Sequence, residues 1–514
     1  MKPSAPHIPA VPSPRRSRWG VWRRAGIVIF WLAAMGVLLV REVFPGRLTG
    51  AAVSYRRLLE RGPLLSDSWM IVSVGGRPAG HSHTRVESSG EAGREQVVLD
   101  NDTLLSIVLM GQTRHVAVHT DAELDASFRL QRFSFSMNAT PYRVSSKARR
   151  LHGTRFAVDL DAGAGPRTLE IDIPDDVVLY SPATDLLLGD LEPGRQIRLR
   201  TFDPISLSPG DAVIRAVRRE TISIAGTNEP ATLLLAEYRG MEVRSWVSRD
   251  GRMLRQETPY GWTLETADAK AALSASREAG NAGADPLAAA AVPCRGTIPD
   301  PRAARALRLR LTGPGTLDAM NLASHRQRIV ERGPGRVTLD LAADDPAAAP
   351  DGAAEPAPTD ADLAATPYVQ SDHPEIVARA RAIANDRAAA PLARALAIHE
   401  WVHRNVRKDA AISLPSALAV LQRLEGDCNE HTYLYVALAR AAGLPARINV
   451  GLVYSDDAFY YHAWPSVFVG RWLELDPTLG QTGVDATHVR LVQGELDAQL
   501  AIVGLIGRLE AEVE

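Results

Sequence analysis

The first strong pattern along the chain is an alternation of apolar and polar residues between Ser68 and Leu273. A period of two is typical of β-strands that bury one face, and turn signals such as Gly75-Gly76 and Asp250-Gly251 separate the segments. The pattern predicts an antiparallel sheet with one solvated face. Because it holds no cluster of catalytic residue types, we expect a structural or binding role for it. The clearest alternating segments are 69–74, 133–137, 169–173, 221–224 and 243–247.

The pattern changes after a segment of biased composition. Residues 344–366 consist almost entirely of Ala, Pro, Asp, Glu, Gly and Thr, which cannot bury enough apolar surface to order themselves. They are therefore predicted to be a linker. Beyond them, apolar residues recur at helical spacing from Pro374 to Asn385 and from Leu392 to about Val406.

An apolar run near the N-terminus predicts a transmembrane helix. Ala25 to Val40 carry no charge, and the arginines on either side can reach the headgroups of a bilayer. Several basic residues and no acidic one precede this run, so the positive-inside rule keeps the N-terminus in the cytoplasm and the bulk of the chain outside, in the periplasm. A cleaved signal peptide is the alternative, although the nearest small-residue cluster, Gly50-Ala51-Ala52, lies far beyond the run.

These patterns predict six segments. They are a cytoplasmic basic tail (1–24), the transmembrane helix (25–42), one or more extracytoplasmic β-rich domains (50–343), the linker (344–366), a second folded domain (367–495) and a C-terminal segment (496–514). The apolar stretch 501–506 in the last segment is too short to span a membrane, so we expect it in a core or in an interfacial helix.

Composition excludes several classes of function. The formal net charge of −2 gives no reason to expect a nucleic-acid partner. The chain has two cysteines, Cys294 and Cys428, so it cannot hold a multi-bridge disulfide framework or an all-cysteine metal site. One bridge between the two cysteines stays open as an alternative, but it would consume the thiol that carries the candidate chemistry.

Cys428 is predicted to stand in the first turn of a helix. Asp427 is a favourable N-cap, Glu430 completes a capping box, and the apolar run that follows ends at Gly443. The positive end of a helix and a nearby imidazolium can both lower the pKa of a thiol, and the helix terminus offers N–H groups that can stabilise an oxyanion.

Two further candidate residues follow on predicted strands. His462 lies on a strand from about Tyr460 to Val469, and Asp476 lies on the strand that begins at Trp472. If residues 469–471 form a three-residue loop, His462 and Asp476 point to the same face of the sheet, whereas a two-residue loop would place them on opposite faces. We predict the three-residue loop, although Pro465 could introduce a bulge.

The strings GDCNEHTYLYVALARAAGLPARINVGLVY and YYHAWPSVFVGRWLELDPTLGQ resemble the bacterial transglutaminase-like superfamily, and the similarity spans about residues 366 to 495. This resemblance implies a papain-like α+β domain in which a cysteine helix packs on an antiparallel sheet. It also implies that Cys428, His462 and Asp476 match the nucleophile, the base and the orienting carboxylate. The superfamily includes transglutaminases, peptidases and inactive members, so the resemblance narrows the mechanism more than the substrate.

A competing motif, His399-Glu400-Trp401-Val402-His403, has the H-E-x-x-H form of zinc metalloproteases. Val406 and Asp409 stand where an extended motif would need glycine and histidine, and Glu425 is the remaining candidate for a third ligand. Since the two histidines share the apolar stripe of their helix, packing inside the protein is the other interpretation.

Together these features predict an enzyme that transfers or hydrolyses acyl groups through a Cys428 thioester on a protein or peptide substrate, without a cofactor or a metal. Water as the acceptor would make it a peptidase or amidase, and an amine would make it a transglutaminase. A catalytically inactive extracytoplasmic binding module is the alternative from a different class.

Overall fold

The computed structural model describes residues 66–514, apart from gaps at 90–95, 110–111, 126, 128, 140–141, 164, 180–190, 239–240, 259–260, 283–290, 349–354, 385, 387–388 and 410–415. The chain divides into two compact units, Met1–Ala52 and Val53–Glu514, and all described residues belong to the second. The predicted basic tail and transmembrane helix lie outside the described residues. Among the described residues, no helix is both long enough and apolar enough to cross a membrane.

The first part of the described chain forms a single sheet of 15 strands. Its order runs from β8 through β1 and then from β15 to β9, and neighbours are antiparallel except for the parallel pair β9–β10. The strands are β1 Ser66–Val74, β2 Arg77–Ser89, β3 Gln96–Leu109, β4 Gln112–Leu124, β5 Leu130–Ala139, β6 Tyr142–His152, β7 Arg155–Asp161, β8 Arg167–Asp172, β9 Val177–Leu179, β10 Gln196–Asp203, β11 Ser208–Ile224, β12 Thr227–Tyr238, β13 Met241–Val247, β14 Met253–Glu257 and β15 Trp262–Ala267.

The alternation predicted from the sequence is what lets this sheet bury one face. In β5 the burial pattern alternates in step with Phe133 and Phe135, which are almost fully buried. The Phe133 ring packs against Phe202 of β10 with ring centroids 5.8 Å apart, so the sheet curls and covers its own apolar face. Helix α1, Ala269–Ala282, packs on β1, β2 and β3.

The second sheet has nine strands and lies next to the helices of the C-terminal part. Its order is β18-β19-β17-β26-β16-β23-β22-β25, with β24 paired to β23, and a two-stranded pair β20–β21 stands apart. The strands are β16 Val292–Arg295, β17 Ala306–Thr312, β18 Gln327–Gly333, β19 Arg336–Ala342, β20 Arg407–Lys408, β21 Glu425–Gly426, β22 Ala446–Ser455, β23 Ala458–Phe468, β24 Trp472–Glu474, β25 Val489–Gln493 and β26 Glu510–Val513.

Five of the described α-helices accompany this sheet, and the last of them, α6, precedes the strand β26. They are α2 Pro374–Ile383, α3 Pro391–Asn405, α4 Ala417–Arg423, α5 Cys428–Ala441 and α6 Leu496–Val503. Helix α5 packs on β22 and β23 and is buried along most of its length. The strands of the segment 50–343 are therefore divided between two sheets, and the C-terminal segment ends in β26, a strand inside the second sheet.

The described residues of the segment 344–366, which are 344–348 and 355–366, are more ordered than their composition predicts. Asp362 is nearly buried and pairs with Arg447 at 2.7 Å, and Glu355 pairs with Arg490 at 2.8 Å. Its acidic side chains reach arginines of the second sheet, and these charge-assisted hydrogen bonds order a segment that has little apolar surface of its own.

Candidate active site

Cys428 is the first residue of α5, as the sequence predicts. The Asp427 side chain accepts a hydrogen bond from the Asn429 N–H at 2.8 Å, and the Glu430 carboxylate accepts one from the Asp427 N–H at 2.9 Å. The predicted capping box is therefore confirmed. Gly426 precedes it at φ +154°, and a Cβ there would lie 2.3 Å from the Cβ of Glu430, so the approach to the cysteine requires glycine.

Gly426→Ala is expected to lower the free energy of opening the start of α5 by about 1–3 kcal/mol, because the added methyl group must displace Glu430 from the capping box. Gly443→Ala is the matched control. Gly443 also has a positive φ of +77°, but no atom of another residue would lie within 4 Å of a Cβ added there. Hydrogen exchange of the amides 428–431 measures the effect of both variants, and equal effects would contradict the role given to the space around Gly426.

His462 and Asp476 point to the same face. Strand β23 pairs with β24 through Phe468↔Trp472, so the predicted three-residue loop is confirmed. The ladder ends at Ser466↔Glu474, and the Asp476 N–H then bonds to the Gln481 carbonyl at 2.7 Å. The Nε2 atom of His462 lies 2.8 Å from Oδ2 of Asp476.

Asp476 is completely buried and receives four hydrogen bonds. Oδ1 accepts from the backbone N–H groups of Thr478 at 2.7 Å and Leu479 at 3.0 Å, while Oδ2 accepts from Nε2 of His462 and, at 3.2 Å, from Nε2 of His488. Burial alone would raise the pKa of Asp476, but the two imidazoles outweigh it and hold that pKa well below its ordinary value. An ionised Asp476 fixes the proton of His462 on Nε2, which leaves Nδ1 as the nitrogen that can accept a proton.

Cys428 faces strand β23 beside the histidine. The Ala463 N–H, one residue after His462, is directed at the sulfur of Cys428. Among the side chains of Cys428, His462 and Asp476, the direct hydrogen bond that the structure describes joins His462 to Asp476. Burial raises the pKa of the Cys428 thiol well above its ordinary value, and the negative charge of Asp427 raises it further. The resting thiol therefore keeps its proton, in contrast to the lowered pKa expected from a helix terminus.

Both cysteines are free thiols, so the alternative of a Cys294–Cys428 bridge is wrong.

Sequence analysis missed a second histidine. His488 is fully buried, with Nε2 on Asp476 and Nδ1 3.3 Å from Oδ1 of Asp485. Trp464 packs edge-on against its ring, with centroids 5.1 Å apart, and stacks on His462 at 6.0 Å. His488 stands in a segment with no periodic pattern, so only the fold reveals that it meets Asp476.

The histidines of the H-E-x-x-H motif are used to hold the chain around Asp476. Nε2 of His399 bonds to the carbonyl of Asp476 at 3.1 Å, and Nδ1 of His403 bonds to the carbonyl of Pro477 at 2.8 Å. The two rings thus turn different nitrogens towards adjacent carbonyls, and Glu400 forms an ion pair with Arg404 on the surface. This geometry favours the packing interpretation over a zinc site.

Incubation with the chelator 1,10-phenanthroline is expected to leave acylation of Cys428 unchanged. The measured quantity is the rate of thioester formation with p-nitrophenyl acetate, and His462→Ala serves as the control that shows a loss in the same assay. Loss of acylation that zinc restores would contradict the role assigned to His399 and His403.

Three clusters within the described residues have the donor atoms of a metal site: His462/Asp476/His488, His325/Glu355/Glu474 and Asp100/Asp102/His119. In each cluster the carboxylates already face protons of histidine or arginine. His325 Nδ1, for example, lies 3.3 Å from Oε1 of Glu355, and Arg326 Nε lies 2.7 Å from Oε2 of Glu474. These donor sets are satisfied as ion pairs and hydrogen bonds, and a metal would have to displace those protons.

Residues 378–477 match the family model of the transglutaminase-like superfamily, and this range contains Cys428, His462 and Asp476. No curated protein has a significantly similar sequence.

Several solved structures share a low level of similarity. A proposed cysteine protease from Cytophaga hutchinsonii is 18% identical, with 41% of this chain and 86% of that chain covered and a TM-score of 0.27. A β-barrel-like DUF1849 protein from Brucella abortus is 13% identical, with 40% and 95% covered and a TM-score of 0.30. The periplasmic domain of TgpA from Pseudomonas aeruginosa, bound to ethylmercury, is 17% identical, with 37% and 83% covered and a TM-score of 0.25. By the family match, residues 378–477 form a transglutaminase-like domain.

Proposed function

We propose that this protein transfers or hydrolyses acyl groups of a protein or peptide substrate through a thioester on Cys428. The observation that carries the proposal is the His462–Asp476 hydrogen bond of 2.8 Å on the strand that faces the cysteine at the start of α5. A nucleophile, a base and a group that orients the base are the three components of this chemistry.

The reaction begins from a protonated thiol. As the Cys428 sulfur attacks the substrate carbonyl carbon, its proton passes to Nδ1 of His462, and Asp476 stabilises the imidazolium that forms. The tetrahedral intermediate collapses, the bond to the leaving amine breaks, and His462 returns the proton to that amine. Water or a second amine then attacks the thioester with His462 again acting as base, which gives hydrolysis or transamidation.

The start of α5 supplies one candidate donor for the oxyanion. Asp427 takes the N–H groups of Asn429 and Glu430 through its side chain, and its carbonyl takes the N–H of His431 at 3.1 Å. Among the first-turn amides of this helix, the N–H of Cys428 itself is therefore the one left for the substrate oxygen.

Mass spectrometry of the full-length chain after incubation with p-nitrophenyl acetate tests the proposal. We expect an acetyl group on Cys428, its loss in Cys428→Ala and much slower formation in His462→Ala. Addition of a primary amine then separates the acceptors, because a transglutaminase passes the acetyl group to the amine whereas a hydrolase releases acetate. Acetylation of Cys428 at the same rate with and without His462 would leave an inactive binding module as the function.

We also propose that residues 25–42 anchor the protein with residues 50–514 outside the cytoplasm, on the grounds of the one-sided basic flank. Resistance of the protein to carbonate extraction, together with its cleavage by protease added to spheroplasts, tests the anchor and its orientation. Release by carbonate, or protection from the protease, would contradict this arrangement.

A further inference from the structure

His488 lies between two buried carboxylates. Its Nε2 is 3.2 Å from Oδ2 of Asp476, its Nδ1 is 3.3 Å from Oδ1 of Asp485, and all three side chains are at most 3% exposed. A neutral imidazole carries one N–H and can donate to one of these acceptors, whereas an imidazolium donates to both. Both contacts can therefore be hydrogen bonds only when His488 is protonated.

Asp485 is itself held in the ionised form. Its Oδ2 meets Arg302 Nη1 at 2.9 Å and Gln481 Nε2 at 2.7 Å, and its Oδ1 accepts from the Thr487 N–H at 2.8 Å. Burial would raise the pKa of Asp485, but His488 and the side chains of Thr487 and Gln481 hold it well below its ordinary value. Burial would likewise lower the pKa of His488, but Asp476 and Asp485 together raise it above its ordinary value.

The other titratable and charged groups around His488 lie further away. The ring of His462 is edge-on with centroids 5.7 Å apart, and Trp464 separates the His488 ring from the Glu474 carboxylate. The Arg326 guanidinium bonds to the backbone carbonyl of His488 and also pairs with Glu474. His488 is therefore the second imidazole, besides His462, that contacts the carboxylate of Asp476 directly.

We propose that His488 is a positioning residue that, as an imidazolium, holds Asp476 in place and offsets its negative charge, so that Asp476 orients His462 without adding a net negative charge beside the thiol; this inference rests on the proposed acyl transfer. In addition to burial, the negative charge of Asp476 raises the pKa of the Cys428 thiol, so an uncompensated Asp476 would make loss of the thiol proton harder. With His488 protonated, Asp476 orients His462 through a hydrogen bond while the pair contributes little net charge.

The test is the pH dependence of Cys428 alkylation by iodoacetamide in the full-length chain, with Cys294→Ser so that a single thiol reports. His488→Gln removes the positive charge and keeps one side-chain N–H for Asp476. Every proton loss that generates the thiolate becomes harder without that nearby positive charge, so the acidic limb of the profile is expected to move up by about one to two pH units. A purely structural role would change the labelling rate at every pH and leave the limb in place, and this result would overturn the inference.

His488→Asn keeps the test decisive if His488→Gln fails to fold, because it also removes the positive charge and leaves the carboxylates of Asp476 and Asp485 in place. A shift of the limb to higher pH in this variant supports the inference, whereas no shift or a shift to lower pH overturns it. A wild-type profile that does not depend on His462 would contradict the proposed function itself, and the role of His488 with it.

Discussion

Replacing Asp476 by asparagine is expected to slow acylation of Cys428 by about 10²–10⁴-fold, the range that a positioned general base contributes. All four groups that face Asp476 are donors: the Thr478 and Leu479 amides on Oδ1 and two imidazoles on Oδ2. An asparagine side chain presents one acceptor oxygen and one NH₂ group in place of two acceptor oxygens. Either the two backbone amides or the two imidazoles must therefore face the NH₂ group, which is itself a donor. If the NH₂ group faces His462, the proton of that ring moves to Nδ1, and the base can no longer accept the thiol proton.

The single-turnover rate of thioester formation with p-nitrophenyl acetate measures this effect. Asp456→Asn is the matched control, since Asp456 lies exposed in the turn between β22 and β23 of the same domain, and asparagine tolerates its positive φ of 48°. If the rate of thioester formation falls less than ten-fold in Asp476→Asn, with the control unchanged, Asp476 is not the group that orients His462 for catalysis.

The parts of the site that the sequence predicts are those that depend on short spacing. The capping box around Cys428 needs residues three apart, and the shared face of His462 and Asp476 needs a loop of known length between two strands. Both follow from local backbone geometry, so they could be derived without knowledge of the rest of the chain.

The parts that could not be predicted depend on pairing between distant residues. Strand β16 pairs with β23 and β26, and β17 pairs with β26, so the second sheet joins segments separated by more than a hundred residues. No local period encodes such pairing. His488 and Asp485 belong to the same class, because a lone buried histidine carries no sequence signal until the fold places it on Asp476.

In the H-E-x-x-H segment, by contrast, a local motif suggests a zinc site that the contacts of its two histidines do not favour. Helical spacing correctly places His399 and His403 on one face of α3, where their ring nitrogens contact the carbonyls that follow β24. Because spacing defines which face a side chain occupies and not what lies opposite that face, the motif alone could not separate the two interpretations.

The second large effect concerns the buried ion pair that supports the site. Arg326 and Glu474 are at most 4% exposed, with Nε and Oε2 2.7 Å apart, and Trp464 also donates to Oε2 at 2.8 Å. Arg326→Met leaves the Glu474 carboxylate buried without its guanidinium, so the free energy of opening β22 and β23 is expected to fall by about 3–5 kcal/mol. Hydrogen exchange of the amides of these strands measures that free energy.

The matched control and the double variant separate the pair from the loss of an arginine as such. Arg308→Met removes an arginine of β17 whose partner, Asp340, is partly exposed, so a change below about 1 kcal/mol is expected. Arg326→Met combined with Glu474→Leu removes both buried charges and is expected to recover more than half of the loss. Additive losses in the double variant would contradict a direct charge pairing.

The pH dependence of the Arg326→Met loss provides the sharpest check on its cause. Burial would raise the pKa of Glu474, but Arg326, Arg490 and His325 outweigh it and hold the pKa below its ordinary value. The stabilisation is therefore complete above the ordinary glutamate pKa of about 4.3 and is lost as the pH falls through the lower pKa of the folded protein. In the variant, the carboxyl group can avoid its buried charge by taking up a proton, so the difference from wild type should be large at neutral pH and should shrink in acid. A loss of the same size at both pH values would mean that packing of the Arg326 side chain, and not its charge, holds this part of the sheet beside His462 and His488.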